Sequence, residues 1–386
     1  MIPYGQQSIN DADVSAVVDV LQSDYITQGN SVPAFEKALA TVCNVPHVNV
    51  VNSATSALHL ACKALGLGPG DTAWTSPVTF VASANCIRYC GAQVDFVDID
   101  PETFNLCPKR LAEKLSHHSK NGLPLPKLVI PVHMCGQSCD MSSIHKLAQQ
   151  YGFKVLEDAA HAIGASYQGH PVGCCEYSDA VVFSFHPVKI VTTGEGGAVL
   201  TQSREVADRI ELLRSHGITR DPEKMDREPD GGWYYQQLDL GFNYRMTDLQ
   251  AALGVSQLKR LGTFIETRRQ LAARYTKLLS DVPLKVPKVA NACSSVWHLY
   301  VIRLKLEELS LSHKEVFEQM RDMGVGVNLH YIPVYQQPYY RQSGFQDFAL
   351  PEAEAYYQEA MTLPLFPAMT ELQQDTVIKT LAKILS

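Results

Sequence analysis

FSFHPVKIVTTGEGG spans Phe183–Gly197 and directly follows the apolar run DAVV, residues 179–182. Together, DAVVFSF is hydrophobic without polar alternation, the pattern of a strand buried on both faces. The strand leads to a lone lysine, Lys189, set among Pro187, Val188 and Ile190. An ammonium in apolar surroundings is costly unless it is paired or used. Gly194, Gly196 and Gly197 then allow a tight turn into the next strand.

Working outward, VNVV (48–51), TAWTS (72–76), AQVDFVD (92–98), KLVIPV (127–132) and KVLED (154–158) read as further strands. Helical runs separate them: SATSALHLACKAL (53–65), FVASANCIRYC (80–90) and SSIHKLAQQY (142–151). Strands alternating with helices imply βαβ units and a mostly parallel sheet covered on both faces. Ligands of such sheets gather beyond the carboxyl ends of the strands. The texture changes near Thr247. Residues 247–279 carry apolar positions at helical spacing, with Thr247 and Gln250 forming a capping box and Gly262 a candidate break. WHLYVIRL (297–304) and VGVNLHYIPV (325–334) read as strands flanking a helix, KEVFEQMRDM (314–323). We therefore expect an N-terminal arm and large α/β domain over 1–246. A long linking helix and a smaller α+β domain should follow over 247–386. The polar stretch 219–232 reads as a surface loop.

Composition sets limits. The chain has 386 residues, 46% hydrophobic and 19% charged, with a formal net charge of −7. That balance argues against a nucleic-acid binder relying on a broad basic surface. No apolar run reaches the roughly 18 residues of a membrane span. The opening MIPYGQQSINDADV lacks a basic region followed by an apolar one, so no signal peptide and a cytoplasmic location are expected. The ten cysteines then read as reduced thiols, several inside apolar helical runs. His133, Cys135 and Cys139 form an HxCxxxC cluster, and Cys174 and Cys175 are adjacent. Zinc would need a second CxxC pair or a close HxxxH partner, which the sequence lacks. Small apolar thiols are the alternative reading, and no metal is expected.

Three hints fall at strand ends on one sheet edge. After VNVV, Asn52-Ser53-Ala54-Thr55-Ser56 opens a helix whose first N–H groups and hydroxyls suit a phosphate; a plain N-cap is the competing reading. After KVLE comes Asp158, with His161 three residues on. After DAVVF comes Ser184, then Lys189. Pyridoxal phosphate requires an amine for its aldehyde, a carboxylate to keep its ring nitrogen protonated, and donors for its phosphate.

On these residues the chain resembles the DegT/DnrJ/EryC1/StrS family of sugar aminotransferases. Besides FSFHPVKIVTTGEGG, the resemblance runs in order through NSATSALH, PVTFVASAN, EDAAHAIGA, GFNYRMTDLQAALGVSQL, SVWHLYVIRL and HYIPVYQQPYY. IPYGQQSIN, SDYITQG and HYIPVYQQPYY are most similar to PseC-type enzymes, which aminate a UDP-linked 4-keto-6-deoxy-N-acetyl sugar on the route to pseudaminic acid. The resemblance implies an aspartate-aminotransferase-like fold, that is, fold type I. It implies that Lys189 holds pyridoxal 5'-phosphate as an internal aldimine, that Asp158 pairs with the ring nitrogen, and that His161 contacts the phenolic oxygen. Thr55, Ser56 and Ser184 would bind the phosphate. Phe80 would stack on the ring, with core packing as the alternative. Asn243 would reach the phosphate from the neighbouring subunit of a homodimer. Tyr4, His186, Arg245 and His330 would contact substrate. The implied reaction is ping-pong transfer from L-glutamate to a nucleotide-linked keto sugar.

Rival readings remain within the resemblance. Sugar 3-dehydratases of the family carry histidine at the cofactor lysine, so Lys189 stands against that chemistry. Another sugar (bacillosamine-type, perosamine-type or 3-amino) is not separated by residues. Neither the nucleotide, the sugar epimer nor the physiological donor is legible. Against a non-catalytic cofactor-binding regulator stand the lack of a helix-turn-helix pattern outside the two expected domains and the acidic balance of the chain.

Overall fold

The computed structural model describes residues 1–385. Seven strands form its central sheet: β1 (His47–Val51), β2 (Thr72–Thr75), β3 (Gln93–Phe96), β4 (Leu128–Ile130), β5 (Lys154–Asp158), β6 (Ala180–Ser184) and β7 (Gly197–Thr201). Their spatial order is β1-β7-β6-β5-β4-β2-β3. Strands β6, β5, β4, β2 and β3 are mutually parallel, and β7 runs antiparallel to both β6 and β1. The expected sheet is therefore largely parallel, with a reversed strand created by the glycine turn after Lys189.

Nine helices accompany it: α1 (Asp11–Leu21), α2 (Ser31–Cys43), α3 (Ala54–Ala64), α4 (Ala82–Tyr89), α5 (Pro108–Lys120), α6 (Met141–Tyr151), α7 (Arg204–Arg214), α8 (Asp248–Leu258) and α9 (Leu261–Leu278). The pleat of β6 shows why its sequence does not alternate. Ala180 and Val182 pack with Leu58 of α3, Ile87 of α4 and Leu213 of α7. Val181 and Phe183 pack on the other face with Phe35 of α2, Ala251 of α8 and Phe264 of α9. Each such buried side chain stabilises the fold by about 1.5–3 kcal/mol. At the far end Leu111 of α5 and Ile144 of α6 cover Trp74, Val129 and Val155.

Helix α9 passes between two cores. Leu261, Phe264 and Ile265 belong to the large domain's packing, whereas Leu271, Ala272 and Tyr275 belong to that of the small domain. The small domain holds an antiparallel sheet of β8 (Leu284–Lys285), β9 (Tyr300–Leu304) and β10 (Ala360–Leu363), with β9 central. Helices α10 (His313–Asp322), α11 (Pro351–Glu359) and α12 (Glu371–Leu385) pack around it. The N-terminal arm joins this domain: Ile2 N–H donates to Gly324 O (2.8 Å), and Leu365 N–H donates to Tyr4 O (3.0 Å). Farther along, fully buried Asp13 accepts from Gln257 Nε2 (2.7 Å) and pairs with Arg260, fixing α1 to α8.

Two sequence expectations need correction. The helical break falls at Lys259–Arg260, between α8 and α9, and Gly262 lies inside α9. The capping box at Thr247 and Gln250 is formed as expected. Residues 325–334 do not make a strand. Only isolated bridges tie Val325 to Ile2 and Asn328 to Thr362, and β10 takes the sheet position instead. The segment is held by side chains: Tyr356 Oη donates to His330 O (2.5 Å), and His330 Nδ1 meets Thr362 Oγ1 (2.8 Å).

The stretch 219–232 is mostly exposed, and a short ladder between Ile218–Thr219 and Gln236–Gln237 ties its base. His133 has a structural account: Nε2 lies 2.5 Å from Glu157 Oε2, and Nδ1 accepts from the Cys139 N–H (3.1 Å).

Candidate active site

A cavity of about 580 Å³ lies beyond the carboxyl ends of β1, β5 and β6, and the small domain and N-terminal arm close it. Lys189, Asp158, His161, Ser184, Thr55, Phe80, Tyr4, His186 and His330 all line it.

Asp158 ends β5 and is 4% exposed. Its Oδ2 accepts from Ser83 Oγ (2.6 Å), which in turn meets Thr79 Oγ1 (2.7 Å). Its Oδ1 accepts from the Ala160 N–H (3.1 Å). These bonds hold the carboxylate at a fixed place on the cavity floor. Lys189 follows the bend at His186–Pro187, where the Lys189 N–H donates to His186 O (2.9 Å). Burial pushes its ammonium down to about 8, against the opposing pull of the Asp158 charge. A neutral amine is therefore accessible near neutral pH, as a nucleophile or proton carrier requires.

The turn expected to hold a phosphate is shaped by the backbone. Ser53 caps α3, its Oγ accepting from the Ser56 N–H (3.1 Å), and Ser53, Ala54 and Thr55 line the cavity. Gly197 pairs with Val51 on one side and Ser184 on the other. A Cβ there would lie 2.6 Å from Ala54 N and from Ser53 C and O. Only glycine lets β7 pass this close to the start of α3. Gly197→Ala is expected to destabilise the protein by about 3 kcal/mol in urea unfolding and to weaken cofactor binding, because backbone cannot move aside as a side chain can.

Not every expected residue lines this cavity. Ser56 sits deeper in α3, its hydroxyl donating to Asn52 Oδ1 (2.7 Å). Asn243 is exposed, and Arg245 donates to Ser215 Oγ (3.0 Å); both lie outside this chain's cavity. The structure adds residues that the sequence did not single out: Thr79, Glu195, His298, Asn328 and Tyr331 line the cavity, and Ser83 supports Asp158. His298 and Tyr331 sit in segments that read as strand, where polar and aromatic residues pass for sheet positions. Their place in the cavity depends on how the C-terminal part of the chain packs against the sheet, which no local pattern encodes.

Burial keeps His330 and His161 neutral. His330 is pushed down to about 3, first by burial and then by the Lys189 charge. His161 is held well below the ordinary histidine value by burial, then by Lys189 and His330.

The sheet order, the lysine after β6 and the carboxylate ending β5 define the fold type I class of pyridoxal-phosphate enzymes. The chain belongs to the DegT/DnrJ/EryC1/StrS aminotransferase family, whose sequence model matches residues 7–382. It is 38% identical to the spore coat polysaccharide biosynthesis protein SpsC of Bacillus subtilis, over 99% of this chain and 97% of that one. It is 35% identical to a Campylobacter jejuni protein named UDP-4-amino-4,6-dideoxy-N-acetyl-beta-L-altrosamine transaminase, over 100% of this chain and 98% of the other. Among solved structures it is similar to Helicobacter pylori PseC, described as an aminotransferase involved in the biosynthesis of pseudoaminic acid. That match has a TM-score of 0.90 at 29% identity and covers 100% of this chain and 99% of PseC.

The depressed Lys189 value gives a direct test. The neutral amine captures aldehydes, so capture of pyridoxal phosphate by apo-protein should accelerate with rising pH. We expect a midpoint near the about 8 assigned to Lys189, followed by stopped-flow absorbance. A midpoint near the ordinary lysine value of about 10.4 would contradict the burial argument.

Proposed function

We propose that the protein is a pyridoxal-phosphate-dependent aminotransferase. It moves the amino group of L-glutamate to C4 of a UDP-linked 4-keto-6-deoxy-N-acetylhexosamine, in a pseudaminic acid-type pathway. The observation that carries this reading is the convergence of Lys189, with its lowered ammonium, and the fixed carboxylate of Asp158 on one cavity. The residues present fit the cofactor: the Gly197 approach leaves a backbone cradle at α3, and His161 Nδ1 is buried without a partner.

When bound, pyridoxal phosphate supplies an electron sink for a carbanion at the donor Cα. Lys189 would anchor the cofactor through its aldehyde, and as a free amine it would carry a proton between the donor Cα and the cofactor C4′. Asp158 keeps the ring nitrogen protonated by placing a negative charge beside it. Thr55, Ser184 and the first N–H groups of α3 would hold the phosphate, and Ser56 supports them from the capped turn behind. His161 would face the phenolic oxygen. Phe80, which is 59% exposed in the single chain, covers the ring face. Tyr4, His186 and His330 contact substrate from the arm, the β6 loop and the small domain.

Asn243 and Arg245 act from the neighbouring subunit of a homodimer. Exposed Tyr25, Ile26, Trp233, Leu238 and Leu240 support such an interface, because large apolar side chains left in water favour burial by a partner. We place the enzyme in the cytoplasm, a location supported by ten free cysteines. No helix among the described residues is long and apolar enough to cross a membrane.

A second reading keeps the chemistry and changes the sugar. The chain is also 38% identical to SpsC, whose name gives only a role in spore coat polysaccharide biosynthesis, so another nucleotide-linked keto sugar is the alternative acceptor. The test is direct: incubate holoenzyme and L-glutamate with UDP- and dTDP-linked keto sugars, then identify aminated products by mass spectrometry and NMR. A 4-amino UDP sugar supports the first reading, amination confined to another acceptor selects the second, and no amination contradicts both.

A further inference from the structure

His298 has no place in the reading above, yet it is one of the most constrained residues of the cavity. It is 4% exposed, and His161 is 5% exposed. The two rings are tilted by 46° with centroids 4.3 Å apart. The main chain of His298 is pinned from both sides. Its N–H donates to Cys135 O (2.9 Å), and its carbonyl accepts from Arg268 Nη1 (3.2 Å). Arg268 is itself buried and also donates to Trp297 O and Leu365 O. At Gly136 (φ +95°) a Cβ would lie 3.0 Å from both His161 O and His298 N. Glycine there lets the two histidine segments meet.

Both rings keep a buried Nδ1 with no hydrogen-bond partner among the described residues. His161 Nε2 lies 3.4 Å from Tyr331 Oη. A buried, unsatisfied ring nitrogen is costly, so two side by side call for a function or a ligand. The groups facing the pair are Lys189 and His330 across the cavity, Tyr331 beside it, Arg268 behind it, Cys135, and Asp158 three residues before His161. Cationic groups outnumber the single carboxylate, and burial acts in the same direction. Both imidazoles are held neutral, each well below its ordinary value.

We propose that His298 is a positioning residue for the aminotransferase site: its ring packs on His161 and fixes that imidazole so that one nitrogen faces the phenolic oxygen of the bound cofactor. The inference rests on the aminotransferase reading, and it assigns His298 an action through His161 rather than contact with substrate.

The test is a pH titration of the visible absorption band of lysine-bound cofactor in four holoenzymes: wild type, His298→Ala, His161→Gln, and the double variant. His298→Ala is expected to move the midpoint by about one unit, the scale of a lost neighbour at a titrating site. It should lower kcat about tenfold while KM for glutamate changes less than about threefold, since a fixed general acid or donor acts mainly on chemistry. In the His161→Gln background the same substitution should move the midpoint no further, because its target ring is gone. His298→Phe, which preserves the ring contact, should restore the midpoint. If His298→Ala does not fold, His298→Leu, also without a ring and closer in volume, gives the same comparison. An unmoved midpoint in the ringless variant, or an equal shift in both backgrounds, overturns the inference. Absence of any lysine-bound band in the wild type overturns the aminotransferase reading itself, which is a separate failure.

Discussion

Lys189→Ala is expected to lower turnover by about four orders of magnitude, because one group supplies both the covalent anchor and the proton carrier. The fold should tolerate the change. Lys189 follows the exposed His186 and the half-buried Pro187 and Val188, and its ammonium is already disfavoured by burial, so removing it relieves a desolvation cost. Thermal unfolding of the variant should therefore match or exceed that of the wild type. Pyridoxamine phosphate should still bind, since the cradle at Ser53–Thr55, Ser184 and Gly197 is untouched. Borohydride reduction of the wild type, followed by peptide mapping, should place the reduced cofactor on Lys189. A variant that keeps its lysine-bound absorption band and its turnover would contradict the assignment.

Asp158→Asn is the second large effect, and it carries a signature that misfolding would not produce. The amide retains size but removes the charge beside the ring nitrogen, and turnover should fall by about 10³-fold, the scale of losing one fixed electrostatic partner. Ser83 can still bond to the amide, with its hydroxyl accepting rather than donating, so the stability cost should be about 1 kcal/mol. Lys189 responds in a definite direction. The Asp158 charge favours the ammonium, so its removal lowers the lysine further, below the about 8 of the wild type. Cofactor capture should then reach its plateau at lower pH while catalysis collapses. Loss of both capture and stability would instead mark Asp158 as a structural residue.

The sequence carried the sheet well because its signals are local. DAVVFSF, KVLED and VNVV are short apolar runs whose two faces are both covered, and each became a strand of the expected sheet. That Lys189 and Asp158 meet at one cavity was legible for a related reason, since Asp158 is the last residue of β5 and Lys189 comes five residues after the end of β6. The reversed direction of β7 could not be read from composition, because parallel and antiparallel buried strands look alike. VGVNLHYIPV has the apolar texture of a strand, but Pro333 and the bonds of His330 to Thr362 and Tyr356 draw it into a cavity-lining loop. His298 was hidden inside WHLYVIRL, where it reads as one more residue entering a buried strand. Its pairing with His161 joins positions 137 residues apart through Gly136, and only tertiary packing brings them together. Asn243 and Arg245 lie outside this chain's cavity, so their proposed contribution depends on a second subunit.

The central claim is that Lys189 and Asp158 form a transaminating site. The most direct measurement is the visible spectrum of purified holoenzyme through one half-reaction and its reversal. Addition of L-glutamate should bleach the lysine-bound cofactor band with release of one 2-oxoglutarate per site, and a nucleotide-linked keto sugar should then restore the band. A band that neither glutamate nor any other amino acid bleaches would contradict the account.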